Sequence, residues 1–112
     1  MIIEIKRPNI KFKFDILSNY KYYYNEETNE FFIQNNFNTK KYFNLEGNIH
    51  RIGKPAIEYT NGVKIWVENG KENRLDGPSY HGKYQFQYYI DDICYSKKDF
   101  AEKNKSFNLQ IL

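Results

Sequence analysis

Two arginines stand at the same place in a short repeat of this chain. Arg51 and Arg74 lie 23 residues apart, and each precedes a turn that contains a proline. A guanidinium is a planar fork of donors that fits a carboxylate or a phosphate, so the pair could bind either group. The alternative is structural: each arginine bonds carbonyls of its own turn, or a neighbouring acid such as Asp76, and so fixes the loop. The residue pattern leaves both interpretations open.

Three aromatic residues recur with the same spacing, at Phe43, Trp66 and Tyr89. In the segment 63–68, strand alternation places Lys64 and Trp66 on one face and the three aliphatic residues on the other. If the aliphatic face is buried, the aromatic residues form a strip with basic neighbours. Such a strip suits a protein partner, which Trp and Tyr can anchor, or single-stranded nucleic acid, whose bases stack on rings. The alternative is that a terminal cap or a second protomer covers it.

These patterns define one predicted partner-binding surface of six residues: Phe43, Trp66, Tyr89, Lys64, Arg51 and Arg74. No other residues have the spacing of a reactive site. His50 and His81 do not share a repeat position, Cys94 has no histidine placed beside it by any motif, and no Cys/His pattern fits zinc. The paired acids fall in predicted turns, where they are solvated. We therefore predict a protein that is not an enzyme and uses neither a cofactor nor a metal.

Composition indicates a single globular domain. The chain has 112 residues, a net charge of +3, 40% hydrophobic and 19% aromatic residues, and one cysteine. The mild positive charge supports nucleic-acid binding only weakly. The lone cysteine suits a reducing compartment. No segment has the length and apolarity of a membrane span or of a signal-peptide core, so we expect a cytoplasmic protein without a membrane partner.

The repeat itself predicts the fold. Gly47–Ala56 returns as Gly70–Ser79, and turn signals such as Asn61-Gly62 and Asn69-Gly70 arrive every seven or eight residues. Short strands between tight turns predict a mainly β protein, an antiparallel β-meander of stacked hairpin repeats with a short C-terminal helix. We divide the domain 1–112 into N-terminal strands or cap (1–37), repeats of period 23 (38–95), and a helical cap and tail (96–112).

The segments before and after the repeats complete this prediction. Residues 9–16 alternate strictly and predict a half-buried strand, and residues 20–24 and 30–33 predict two more. Ser96 and Asp99 have the spacing of a capping box, which predicts a helix that fades near Asn104. The alternating tail Phe107, Leu109 and Ile111 predicts a return as an edge strand.

The segment Asn69–Ser79, with Arg74, Asp76, Gly77 and Pro78 in order, resembles the MORN-like "HRxDGPA" repeats of large DNA viruses, phages and some bacteria. The earlier copy keeps His50, Arg51 and Pro55 but has Gly53-Lys54 where Asp-Gly is usual in that family. The resemblance covers roughly residues 38–100. It implies stacked β-hairpins and no common catalytic residue. The resemblance therefore predicts the fold and leaves the function open.

We therefore expect a non-enzymatic protein-binding module of phage or mobile-element origin, with a host or viral protein as its partner. Inhibition of a host defence protein, in the host cytoplasm, is the activity that this origin suggests. The alternative is a protein that binds single-stranded nucleic acid or a nucleotide through the same face. Because an open meander leaves strand edges unpaired, a homodimer formed through these edges is a further expectation.

Overall fold

The computed structural model is mainly β, with antiparallel strands joined by hairpins and a C-terminal helix. It describes the backbone of residues 2–6, 10–15, 20–35 and 37–111, and the side chains of residues 21–35 and 37–105. In these ranges the strands are β1 Ile2–Lys6, β2 Ile10–Asp15, β3 Tyr20–Asn25, β4 Glu30–Gln34, β5 Lys40–Phe43, β6 Ile57–Glu58, β7 Lys64–Ile65, β8 Val67–Glu68, β9 Lys71–Glu72, β10 Tyr80–His81, β11 Phe86–Ile90 and β12 Ile93–Tyr95; helix α1 is Lys97–Ile111.

The strands follow one another across a sheet in the order β1-β2-β3-β4-β5-β6-β7-β10-β11-β12, while β8 and β9 form a separate ladder. The strand pairings among the described residues are antiparallel, which confirms the predicted hairpin-connected β architecture. The three predicted N-terminal strands are confirmed as β2, β3 and β4. The predicted burial of one face of β2 concerns side chains outside the described ranges.

Two hairpin turns have both central residues in the left-handed region, as two-residue hairpins of the type I′ form require. The φ angles are 52° and 80° at Asn69 and Gly70, and 48° and 67° at Asp91 and Asp92. The turns predicted at these two places are therefore confirmed. Asparagine, aspartate and glycine are the residues that tolerate positive φ at the lowest cost.

The continuous strand predicted over residues 63–68 is wrong, because the chain changes its pairing partner at Trp66. Strand β7 pairs with β6 and β10, whereas β8 pairs with β9. Trp66 lies between the two ladders and has one backbone hydrogen bond towards each. Its N–H donates to the Ser79 carbonyl at 2.8 Å, and its carbonyl accepts from the Asn73 N–H at 3.1 Å. Of the predicted aliphatic face, Val67 is buried, and Val63 and Ile65 are half-buried.

Few apolar side chains are buried in the described part of the chain. The buried hydrophobic residues there are Tyr42, Ala56, Val67, Ile90 and Phe100. Buried Ser79 is bonded twice, since its hydroxyl accepts from the Tyr89 N–H at 3.0 Å and donates to the Gln87 carbonyl at 3.4 Å. The radius of gyration is 16.5 Å, against about 13 Å for a compact domain of this length. The described residues thus form an extended sheet with a small core.

Helix α1 begins as the capping box predicts, because the Ser96 hydroxyl accepts from the Asp99 N–H at 3.1 Å. Phe100 packs against Tyr88 of β11, with ring centres 4.9 Å apart. The prediction that the helix fades near Asn104 and that residues 107–111 form an edge strand is wrong: the helix continues to Ile111. No glycine or proline interrupts residues 97–111, so the backbone can keep its helical hydrogen bonds. Within the described residues, no helix is long and apolar enough to cross a bilayer.

Candidate functional site

Arg51 and Arg74 make the same two structural contacts. The guanidinium carbon of Arg51 lies 3.8 Å from the centre of the Tyr42 ring, and that of Arg74 lies 3.7 Å from the Trp66 ring. Nη1 of each arginine donates to a proline carbonyl of its own turn, Pro55 at 3.3 Å and Pro78 at 3.1 Å. Each guanidinium is therefore fixed between a ring and a turn. These are the contacts that the structural interpretation of the arginines predicts.

The carboxylates that pair with the two arginines come from different places. Arg74 Nε donates to Asp76 in its own turn at 2.8 Å. Gly53 stands at the corresponding place in the earlier turn, and there Arg51 Nε instead donates to Glu30 of β4 at 2.7 Å. Glu58 of β6 adds a second carboxylate, 3.4 Å from Arg51 Nη1. Strands β4 and β6 thus supply the negative charge that the first turn lacks.

Gly77 leaves space for the guanidinium of Arg74, which packs against its Cα. A Cβ at this position would lie 2.9 Å from the guanidinium carbon, closer than packed atoms allow. Since Gly77 does not have a positive φ, its role is to leave space and not to permit a turn conformation. The Asp-Gly-Pro sequence therefore supplies an ion pair, a gap and a carbonyl acceptor to one arginine.

His50 and Asn73 hold the two hairpin turns in the same manner. His50 Nδ1 accepts from the Asn69 N–H at 2.9 Å, and Asn73 Oδ1 accepts from the Asp91 N–H at 3.1 Å. Because Nδ1 of His50 is an acceptor, the neutral ring carries its proton on Nε2. His50, which stands where the similar repeats have a histidine, thus makes a structural hydrogen bond to the turn that contains Asn69.

The predicted aromatic strip is divided among three environments. Phe43 lies against Phe31 of β4, with ring centres 6.1 Å apart, on the opposite face of β5 from Tyr42. Trp66 lies beneath Arg74. Tyr89 pairs with Cys94 across the β11–β12 hairpin, and the thiol beside it raises the pKa of its phenol. Lys64 is exposed on β7.

A polar cleft lies beside Arg51, and we call it the Arg51 cleft. Its volume is about 610 Å³. Leu45 and Ile52 on its lining are 85% and 75% exposed. Burial raises the pKa of the Tyr42 phenol at its base, and the neighbouring Arg51 opposes part of that shift. The cleft is lined by Thr28, Asn29, Glu30, Tyr42, Phe43, Asn44, Leu45, Glu46, His50, Arg51, Ile52, Lys54 and Asn69.

A second hollow adjoins the cleft, and we call it the β3–β5 groove. Its volume is about 490 Å³, and it is lined by Tyr22, Tyr24, Phe31, Ile33, Phe43, Asn44, Leu45 and Gly47. No residue of this lining carries a charge. The strand register explains the cluster, since Tyr22 is paired with Ile33, and Tyr24 is paired with Phe31, which is in turn paired with Phe43.

Of the six predicted binding residues, the structure brings Arg51 and Phe43 to one cleft and leaves the other four outside its lining. Sequence analysis missed Leu45, Ile52 and Glu30. A signal for Ile52 exists, because Leu75 stands 23 residues later at the same repeat position and is also exposed. Glu30 lies outside the repeats, so the repeat pattern could not pair it with Arg51.

Within the described part of the chain, no group of three His, Cys, Asp or Glu side chains is placed to hold a metal ion. Comparisons with protein-family models, with curated proteins and with solved structures find no match to this chain. The resemblance to the "HRxDGPA" repeats therefore stays a prediction that rests on the sequence.

Proposed function

We propose that this chain is a non-enzymatic protein-binding module that holds a segment of its partner at the Arg51 cleft. The observation that supports the proposal is that two aliphatic side chains on the lining of the Arg51 cleft, Leu45 and Ile52, are largely exposed to solvent. Exposed aliphatic residues beside a rigid polar cleft offer a partner both apolar burial and hydrogen bonds. This mixture is typical of interfaces between proteins that also exist apart.

The cleft is suited to recognition because its walls are held before a partner arrives. Arg51 is fixed by a ring, a carbonyl and two carboxylates. Asn44 on the same lining accepts from the N–H groups of Glu46 and Asn48, both at 3.0 Å, and donates to Asn69 at 3.3 Å. A preorganised surface loses little conformational entropy on binding.

The charges around Arg51 favour a protein over single-stranded nucleic acid. Both carboxylates that face its guanidinium, Glu30 and Glu58, would repel a phosphate. On the lining, the charge of Lys54 is offset by that of Glu46. Arg74 is likewise paired with Asp76. A phosphate would have to replace these partners, whereas a peptide can bind beside them. The viral or mobile-element origin that the sequence resemblance implies makes a host-cell protein the partner class that we propose.

The test is capture from bacterial lysate with the tagged chain, at low and high salt and with or without nuclease, compared with Ile52→Asp and Lys54→Glu. We expect a discrete protein that survives nuclease and high salt, and that Ile52→Asp loses. The matched control is Ile93→Asp, which places the same change on an exposed isoleucine outside the cleft. Retention of nucleic acid alone, lost at high salt, or equal capture by Ile52→Asp and Ile93→Asp, would contradict the proposal.

A further inference from the structure

The two ends of the strands carry different surface chemistry. Because successive strands of an antiparallel meander reverse direction, alternate connections lie at the same end of the sheet. The connections β4–β5, β6–β7 and β10–β11 therefore share one end, and the loops that hold Arg51 and Arg74 lie at the other. We call the first the aromatic end. Its exposed side chains include Phe37, Tyr59, Lys64, Lys83, Tyr84 and Phe86.

The exposed large apolar side chains of the described residues are divided by type between these ends. The aromatic members lie at the aromatic end, and the aliphatic members lie at the opposite end. An exposed ring offers a flat face on which a nucleic-acid base can stack, which an aliphatic side chain does not. The aromatic members are Phe37, Tyr59, Tyr84 and Phe86, and the aliphatic members are Leu45, Ile52, Leu75 and Ile93.

Charge is divided in the same way. The segments of the aromatic end contain four lysines and one acid, whereas those of the opposite end contain nine acids and four basic residues. The net charge of +3 therefore combines a positive end and a negative end. A phosphate strand would be attracted to the first and repelled by the second. The segments are 34–41, 57–65 and 80–87 at the aromatic end, and 26–30, 44–54, 67–79 and 91–92 at the opposite end.

A row of paired side chains crosses the sheet at the aromatic end. Directly paired residues of antiparallel strands project from the same face. The row spans five strands, roughly 19 Å at the usual strand spacing. It leads from lysines to stacked rings, since the ring centres of His81 and Phe86 are 4.9 Å apart. Its members, in order across the sheet, are Lys40, Glu58, Lys64, His81 and Phe86.

The lysine charges of this end are not neutralised by the described residues. Glu58, the acid of the row, faces the Arg51 guanidinium at 3.4 Å. Among the described residues, none of Lys40, Lys64 and Lys83 has a carboxylate within ion-pair distance. Cations without acidic partners can contact phosphates without first losing an ion pair, in contrast to Arg51 and Arg74.

We propose that the aromatic end binds single-stranded nucleic acid. Lys40, Lys64 and Lys83 contact phosphates, and the rings of Tyr84 and Phe86 stack on bases. Nζ of Lys83 lies 5.3 Å from the centre of the Tyr84 ring, so one nucleotide can touch both side chains. Of the six residues in the binding surface that the sequence predicts, only Lys64 belongs to this end.

The exposure of the rings favours a single strand over a duplex or a protein. In a duplex the base faces are already stacked on one another, so they are closed to Tyr84 and Phe86. Aromatic anchors of protein interfaces are packed in pockets, whereas Tyr84 is 86% exposed and lines neither the Arg51 cleft nor the β3–β5 groove. The inference is independent of the proposed function, because the Arg51 cleft lies at the opposite end.

The experiment is fluorescence anisotropy of a labelled oligothymidylate of about 12 nucleotides, titrated with the purified chain. With three lysines on phosphates, the affinity should fall about 20-fold between about 50 mM and 200 mM salt. Tyr84→Ala should lower the affinity at least about fivefold, and Tyr84→Phe should retain it. Lys83→Glu should also lower it at least about fivefold. Lys71→Glu, the same change on an exposed residue of the opposite end, is the matched control and should have little effect.

No binding at low salt would overturn the inference, and so would equal losses in Lys83→Glu and Lys71→Glu or full affinity in folded Tyr84→Ala. Equally tight binding of a duplex, or equal competition by polyglutamate or phosphatidylserine vesicles, would overturn it too. Ultraviolet crosslinking of the wild-type chain needs no variant: we expect the oligonucleotide on residues 80–87, and attachment to 67–79 instead contradicts the inference. Partner capture that persists in Lys83→Glu and is lost in Ile52→Asp reports the proposed function separately.

Discussion

The guanidinium of Arg74 stacks on the ring of Trp66, the residue between strands β7 and β8. The guanidinium carbon lies 3.7 Å from the ring centre, while Nη1 and Nε of the same group hold Pro78 and Asp76. Trp66 itself lies between β7 and β8, where the chain leaves one ladder for another. One side chain thus connects the place where strand pairing changes to the turn that follows it. Tyr42 of β5 and Arg51 repeat this arrangement, with 3.8 Å between the guanidinium carbon and the ring centre.

We expect Arg74→Lys to lower the free energy of unfolding by about 1–3 kcal/mol, although the charge is kept. An ammonium cannot stack on Trp66 and donate to both Pro78 and Asp76 at once. Urea denaturation followed by fluorescence of the single tryptophan measures the change. Lys64→Ala, on an exposed residue of β7, is the control and should stay within about 0.5 kcal/mol of wild type. Equal stability of the two variants would show that the stack does not stabilise the fold.

Gly77→Ala should destabilise the protein by about 1–3 kcal/mol, because the added Cβ would displace the Arg74 guanidinium from its place. A double-mutant cycle with Arg74→Ala tests this cause directly. With the guanidinium absent, the same alanine should cost much less, because nothing then occupies the space. If Gly77→Ala costs the same in both backgrounds, the loss comes from the backbone and not from the contact with Arg74.

The Asp76 ion pair predicts stability that is lost in acid. The hydrogen bond from Arg74 holds the pKa of Asp76 below its ordinary value, and burial opposes part of that shift. A carboxyl with a lowered folded-state pKa stabilises the fold above its unfolded value of about 3.9, and this contribution disappears as pH falls through the folded value. Asp76→Asn should therefore lower the Tm at pH 7, and its difference from wild type should shrink and disappear as pH falls through the folded-state pKa of Asp76. The effect should shrink in high salt, since the Asp76 side chain is 83% exposed.

Glu72 predicts the opposite dependence on pH. Burial first, and then the charge of Asp92, raises the pKa of the Glu72 carboxyl. Such a group favours folding while it is protonated, so its contribution is present below about pH 4.3 and is lost as pH rises through the folded value. Glu72→Gln should raise the Tm at pH 7 and change it little at about pH 3. Glu46→Gln, on an exposed turn residue, is the control; a Tm gain of the same size there would contradict the role of burial.

Much of the hairpin architecture could be predicted because turn residues with positive φ are few and specific. Asn69-Gly70 and Asp91-Asp92 stand where such angles are needed. The break at Trp66 could not be predicted, because alternation reports which face a side chain takes and not which strand its backbone pairs with. The prediction of a strand after Asn104 is wrong, since a short alternating run fits a strand as well as one face of a helix, and continuity from the Ser96 cap decides between them.

The β3–β5 groove was hidden from sequence analysis for a related reason. Tyr22 and Tyr24 alternate with Tyr23, and Phe31 alternates with Phe32, so both faces of these strands are aromatic and alternation selects neither. The register between strands separates them, as Tyr23 stacks on Phe32 with ring centres 4.6 Å apart, away from the groove. The two arginine turns, in contrast, show their shared role at once, because Arg51 and Arg74 recur with the same proline four residues later.

His50→Asn is expected to leave the stability of the fold nearly unchanged, because Asn73 already does the same task in the next hairpin. In both places a side-chain acceptor takes the N–H of a turn residue with positive φ, Asn69 or Asp91. His50→Ala removes the acceptor and should cost about 1 kcal/mol, and Asn73→Ala should cost a similar amount. Hydrogen exchange of the Asn69 amide measures the bond itself: we expect protection in wild type and His50→Asn, and faster exchange in His50→Ala. Equal protection in all three would show that the turn stands without the side-chain bond.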